Sequence, residues 1–357
     1  MPELPPNQMR SKPERRVRLW ALAVYVIVTA AIAALAGDAS AQRARDNPRP
    51  QAEPLEPGAK RRDAPNPSAR TEPKAEPRTG NRKQPSPDDR IDVEATYYRQ
   101  PALVDAALAK LAPSEPGLSK LYFIGFASFA GQDVFRREIG SVREIMDARF
   151  GTAGRSLVLL NHRDTYQTEP LASVSNLERA LDGVARLMDN SKDILVLYIT
   201  THGTPGQLSV DFPRLQMNDL SAGRLAGMLE KSGIKRRLII ISACYAGSFI
   251  NRLRSDYAAI MAAARPDRTS FGCSNERQWT YFGDALFNRA LRQTYSFTEA
   301  FETARATVGQ WEREQKLMPS EPQIDIGPGI APWLDVLAKR LTQAPRPPAE
   351  TAEKPDR

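Results

Sequence analysis

The chain has few of the residues that metal and disulfide chemistry require: its 357 positions hold two cysteines and two histidines. That number excludes a zinc finger, a cluster held by four thiolates and a disulfide framework. No GxxxxGK[ST] phosphate loop and no acidic EF-hand loop occurs either. Neither a metal nor an organic cofactor is therefore expected. Aromatic residues make up 7% of the chain and nowhere interleave with a basic stripe. The net charge of +8 is concentrated outside the body of the chain, since residues 91–342 carry thirty positive and twenty-eight negative side chains. A phosphate-tracking surface needs a local excess of cations, so nucleic acid is not an expected partner.

Long apolar runs are also scarce, with one exception. Residues 19–36, LWALAVYVIVTAAIAALA, are free of charge and follow the basic tail 1–18, which ends in Arg15, Arg16 and Arg18. As a helix this run spans about 27 Å, near the thickness of a hydrocarbon core. The positive-inside bias predicts a single-pass anchor in the inner (cytoplasmic) membrane, with residues 1–18 cytoplasmic and the rest of the chain outside, periplasmic in a Gram-negative bacterium. A cleaved secretory signal, cut near Ala41 after the small-residue pattern Ala39-Ser40-Ala41, is the competing reading. Residues 37–91 are rich in Pro and Arg and almost without large aliphatics, which predicts a disordered stalk. The same composition predicts a disordered tail over 343–357.

Between 92 and 342 the pattern changes to short apolar runs alternating with amphipathic stretches. The runs are 121–126, 157–161, 194–200 and 238–242, with weaker ones at 258–261 and 269–272. Apolar at nearly every position, they read as strands covered on both faces. Helical stretches fall at 132–149, 176–189, 219–231, 282–293 and 297–315, with capping-box spacing at Ser175/Glu178 and Ser296/Glu299. This order predicts an α/β domain with a mostly parallel sheet and helices on both faces.

In such sheets chemistry gathers beyond the carboxyl ends of the strands. The run 194–200 leads into Thr201-His202-Gly203, and 238–242 into Ala243-Cys244-Tyr245-Ala246-Gly247-Ser248. If the two strands are neighbours, a thiol and an imidazole emerge at one edge and form a nucleophilic dyad. Imidazole titrates near neutrality and activates a thiol that is otherwise mostly protonated there. Gly203 is expected to permit a sharp turn and Gly247 a close backbone approach. Backbone N–H groups at Gly203 and Cys244 are candidates for an oxyanion hole. His162, which also follows a strand, reads as a loop residue at the cleft rim. Cys273 reads as a core thiol, with a disulfide to Cys244 as its rival. The cluster Phe135-Arg136-Arg137-Glu138 reads by default as solvated charge.

A strand ending in His-Gly followed about forty residues later by one ending in Ala-Cys resembles the caspase-type cysteine proteases. Ser-Ala-Cys-Tyr-Ala-Gly-Ser-Phe and the later Thr269-Ser270-Phe271-Gly272-Cys273 and Tyr281-Phe282-Gly283-Asp284 are most similar to the legumain, or asparaginyl endopeptidase, family. The resemblance covers about Leu121 to Arg292. It implies a caspase/hemoglobinase-like three-layer sandwich and a peptide or protein substrate cut after Asn or Asp. It also implies catalytic roles for His202 and Cys244, and a substrate pocket drawn from Arg136 (or Arg137), Ser242, Thr269, Ser270 and Asp284. Ser242 stands where the family's proteases commonly carry an acid. The family extends to a transamidase, so acyl transfer to an amine is an alternative outcome, and a non-catalytic envelope scaffold on the same domain is a second. The sequence assigns no oligomeric state.

Overall fold

The computed structural model describes residues 91–344. The tail 1–18, the run 19–36, nearly all of the stalk and the segment beyond 344 lie outside the described residues, and no described helix is long and apolar enough to cross a membrane. The expected three-layer α/β sandwich is present. Its sheet contains β1 (Leu121–Ala127), β2 (Ser156–Leu160), β3 (Ile194–Thr200), β7 (Arg237–Ser242), β8 (Ala258–Ala262) and β9 (Gln323–Ile326), in spatial order β2-β1-β3-β7-β8-β9. All neighbours are parallel except β8 and β9. The short strands β4 (Gly203–Thr204), β5 (Gln207–Leu208) and β6 (Leu220–Ser221) form a separate antiparallel sheet.

Alternation along the strands divides the core into two layers. Leu121 and Phe123 of β1 with Val196 and Tyr198 of β3 face one layer, closed by α2 (Asp133–Phe150), α8 (Phe297–Glu314) and α9 (Ala331–Gln343). Tyr122, Ile124, Leu195 and Leu197 face the other, closed by α3 (Val174–Leu187), α4 (Ala222–Lys231) and α5 (Ile250–Leu253). Every residue of β1, β3 and β8 is buried, which explains why their sequences are apolar throughout. Each such large side chain stabilises the fold by roughly 1.5–3 kcal/mol.

Several local expectations require correction. Residues 269–272 form no strand; the sheet's remaining edge is β9, antiparallel and half-buried along its length. Helix α1 (Val93–Leu108) and α9 also lie outside the expected set. The start of α3 is capped by Ser173, whose side chain accepts from Asn176 N–H, and not by Ser175. At α8 the expected cap is present, with Ser296 accepting from Glu299 N–H. The stretch 282–293 is a composite: α6 (Tyr281–Gly283), a π-helical segment (Asp284–Ala290) and α7 (Leu291–Gln293).

Candidate active site

β3 and β7 are hydrogen-bonded neighbours in parallel register, with Thr200 opposite Ser242. Two residues beyond each of these positions stand His202 and Cys244, so the strand pairing itself carries both to the same sheet edge. The two loops are in close contact: a Cβ at Gly203 would lie 2.4 Å from the Cys244 carbonyl oxygen. Gly203 is thus required for this approach, not for the turn expected from sequence. At Gly247 a Cβ would lie 2.8 Å from Ala264 O, the close approach that was expected.

Tyr245 turns the chain away from β7 with φ 56° and ψ 17°, a left-handed conformation that a bulky residue rarely adopts. Its N–H donates to Arg268 O at 2.7 Å, while Ser248 donates to its carbonyl through both N–H and Oγ. These bonds offset the local strain and fix the backbone beside Cys244. The Cys244 Sγ accepts from Ser270 N–H at 3.3 Å and lies 3.6 Å from Ser270 O. No hydrogen bond joins it to His202 among the described residues, and the Cys244 N–H donates to no acceptor there.

His202 is half-buried between the edges of two aromatic rings, with centroids 4.5 Å away at Phe129 and 5.2 Å away at Phe135. Burial lowers its pKa below the usual 6.5, favouring the neutral ring at pH 7. Its Nε2 lies 2.6 Å from Gln132 Oε1. The Gln132 amide NH₂ donates to Cys273 O at 3.0 Å, and because a carbonyl only accepts, the amide orientation is fixed. The Gln132 oxygen then accepts from Nε2–H of His202, leaving the lone pair on Nδ1. Gln132 occupies the N-cap position of α2 yet makes no capping bond with its side chain. Its amide serves the histidine instead.

Below these strand ends lies Glu138, which in sequence resembles part of a solvated cluster. Glu138 is completely buried and receives Tyr198 Oη at 2.5 Å, Thr200 Oγ1 at 2.7 Å and Thr280 N–H at 2.7 Å. Thr280 Oγ1, 2.8 Å from the carboxyl, continues to Ser242 Oγ at 2.9 Å. One carboxyl group therefore links α2, the end of β3, the end of β7 and the wall that follows residue 273. Burial raises its pKa, favouring the neutral acid. The signal in the sequence was positional: residue 138 falls on the same buried helical stripe as Val134, Phe135, Val142 and Ile145.

The expected pocket residues fall into different settings. Ser270 holds the Cys244 thiol, and Thr269 next to it is exposed. Ser242 is buried and bonded to Thr280, so it belongs to the floor and not to a wall. Arg137 donates to the carbonyls of Asn275 and Arg277, which fastens the wall loop to α2. Arg136 makes only a 3.9 Å approach to Asp133, and its buried Nε has no partner. Asp284 does not face an arginine across a pocket. The π-helical turn brings it against Asn288 at 2.8 Å and Arg289 at 3.4 Å on its own helix.

His162 is buried, not at the rim. Its Nδ1 accepts from Asp164 N–H and its Nε2 lies 3.0 Å from Asp133 Oδ1, beside Gln132 at the start of α2. That bond, before the nearby arginines, lowers the Asp133 pKa. Cys273 packs against the core, and its thiol and that of Cys244 are both free. Burial pushes the Cys273 thiol up to about 12. It packs as a core thiol, as expected, and its raised pKa disfavours the thiolate at neutral pH. No group of His, Cys, Asp and Glu suited to a metal ion occurs among the described residues.

A thiol and a neutral imidazole on adjacent strand ends of a mostly parallel sheet are the attributes of a cysteine-type peptidase. Comparison with known proteins agrees: residues 177–330 match the Peptidase C13 family model, a span that contains both His202 and Cys244. Among solved structures, caspase-1 from Spodoptera frugiperda aligns at 15% identity with a TM-score of 0.41, over 58% of this chain and 87% of that one. No curated protein sequence matches the chain.

Proposed function

We propose that the chain is a membrane-tethered cysteine endopeptidase that cleaves peptide bonds after Asn or Asp. The observation carrying this reading is the pairing of β3 with β7, which sets His202 and Cys244 at one edge. In the reaction, the Cys244 proton passes to Nδ1 of His202 as sulfur attacks the peptide carbonyl carbon. Carbon–sulfur bond formation places negative charge on the carbonyl oxygen, which the Cys244 N–H is free to receive. Collapse breaks the carbon–nitrogen bond, and the amine leaves with the proton from His202. Water, deprotonated by the same nitrogen, then attacks the thioester and releases the acid and the thiol.

Gln132 keeps Nε2 protonated and the ring fixed throughout, so Nδ1 is the nitrogen that exchanges the proton. Arg136 supplies the guanidinium for the side chain preceding the cut. With Asp284 paired to Arg289 and Ser242 in place of an acid, the one carboxylate near it is Asp133, at 3.9 Å and shared with Arg137 and His162, which favours Asp over Asn at that position. The run 19–36 supplies the tether and holds the domain outside the cytoplasm. The test is alkylation of the full-length chain by a thiol-directed peptide ending in Asp or Asn. Cys244 is expected to react much faster than a simple thiol at neutral pH, with the Asp peptide ahead. Alkylation at the rate of a simple thiol contradicts the proposal and supports the scaffold. Preferential capture of the acyl group by an added amine would assign a transamidase.

A further inference from the structure

At the opposite edge of the sheet, where β7 begins, a cavity of about 290 Å³ opens between α4 and α5. Its lining includes Glu230 of α4, Arg237 at the first position of β7, Arg252 and Leu253 of α5, and Arg254 just beyond. Six residues of strand at about 3.3 Å each separate it from the catalytic edge, roughly 20 Å. It is therefore distinct from the Cys244 site.

The three guanidinium groups are not equivalent. Arg254 is neutralised by Asp325, at 2.7 Å from Nη2 and 2.9 Å from Nε. Arg237 is half-buried, its Nε is shielded from solvent with no hydrogen-bond partner, and no carboxylate lies within ion-pair distance. Arg252 is exposed and equally without a partner among the described residues. Against these two free cations the lining offers one carboxylate, Glu230. Burial lowers the Arg237 pKa and the Glu230 charge opposes that shift. A desolvated guanidinium with no carboxylate paired to it is a costly arrangement that a bound anion would relieve.

We infer that this cavity binds a phosphate group, free or as the ester of a small molecule, through Arg237 and Arg252. Guanidinium pairs with phosphate by parallel charge-assisted hydrogen bonds. Here the lining takes one donor from a strand start and the other from a short helix, and a tetrahedral oxyanion offers acceptors in more than one plane. The cavity exceeds the volume of a bare phosphate, leaving room for an ester substituent. The inference is independent of the peptidase reading, since no residue is shared.

The test is thermal melting of the full-length chain in inorganic phosphate against chloride at constant ionic strength. The wild type is expected to show a saturable rise in Tm. Arg237→Gln and Arg252→Gln are each expected to weaken the apparent Kd at least about tenfold, while Arg305→Gln, on the remote helix α8, leaves it unchanged. Since Arg252 is exposed, Arg252→Gln keeps the test open if Arg237→Gln fails to fold. Glycerol 3-phosphate binding more tightly than inorganic phosphate identifies an ester as the source, and the reverse order identifies the free ion. No saturable rise, or the same midpoint in the wild type and Arg252→Gln, overturns the inference.

Discussion

At its C-terminal end β7 delivers Ser242 into a closed set of hydrogen bonds with Thr280, Glu138, Thr200 and Tyr198, and holds Cys244 behind a strained Tyr245. At its N-terminal end the same strand presents Arg237, half-buried and unpartnered. One end fixes its polar groups against one another, and the other leaves charge uncompensated. The contrast separates two uses of a buried polar side chain. A satisfied network restricts geometry, which suits a dyad whose atoms must be placed before substrate arrives. An unsatisfied cation restricts little and is suited to receiving a counterion.

The contrast breaks most severely at Glu138. Glu138→Ala strands the donors of Tyr198, Thr200 and Thr280 and opens a cavity beside Gly283, so a loss of about 2–5 kcal/mol is expected by chemical denaturation. Glu138→Gln retains an oxygen for Thr280 N–H and donates to the two hydroxyls, and is expected to cost less than about 1 kcal/mol. The raised pKa adds a sign. The folded protein retains a proton at Glu138 that the unfolded chain releases, so its contribution is full below the ordinary Glu value of 4.5 and is lost as pH rises through the folded pKa. Glu138→Gln should remove that slope, and equal slopes in the two proteins would show that the carboxyl is ionised in the fold.

Gln132 comes next in size. Gln132→Ala frees the imidazole to rotate and change tautomer, and kcat is expected to fall roughly 10- to 100-fold with KM little altered. Gln132→Glu places an ionisable carboxylate on Nε2, which raises the His202 pKa. The acid limb of the kcat/KM profile, expected below 6.5 in the wild type because burial lowers the His202 pKa, should move upward in this variant. An unmoved limb would assign the titration elsewhere. The smallest effect is at Tyr245. Tyr245→Gly relieves the left-handed strain while loosening the unfolded chain, so stability should remain within about 1 kcal/mol of wild type. Tyr245→Val, branched at Cβ, should be distinctly less stable.

The main strands and the shared edge of His202 and Cys244 were legible because burial on both faces imposes apolar runs, and because parallel pairing makes strand ends coincide. β9 was hidden by its polar alternation at a half-covered edge, and residues 269–272 looked like a strand although their backbone instead serves the Cys244 thiol and the wall loop. Gln132 and Glu138 could not be read from residue type alone. A glutamine at a helix start resembles an indifferent cap, and an acid between Arg137 and Ile139 resembles solvated charge. Their partners, Cys273, His202 and Thr280, lie 70 to 142 residues away in sequence. Asp284 misled for a local reason: the π-helical turn that follows it supplies Arg289 as its partner.

The central claim is that Cys244 and His202 act together on a peptide bond. Cleavage of a peptide library by the full-length chain, compared with Cys244→Ala and His202→Ala, tests it most directly. The account predicts turnover in the wild type, with a fall on the order of 1000-fold or more in each variant while both retain the wild-type melting temperature within a few degrees. Turnover that survives in either folded variant would contradict it.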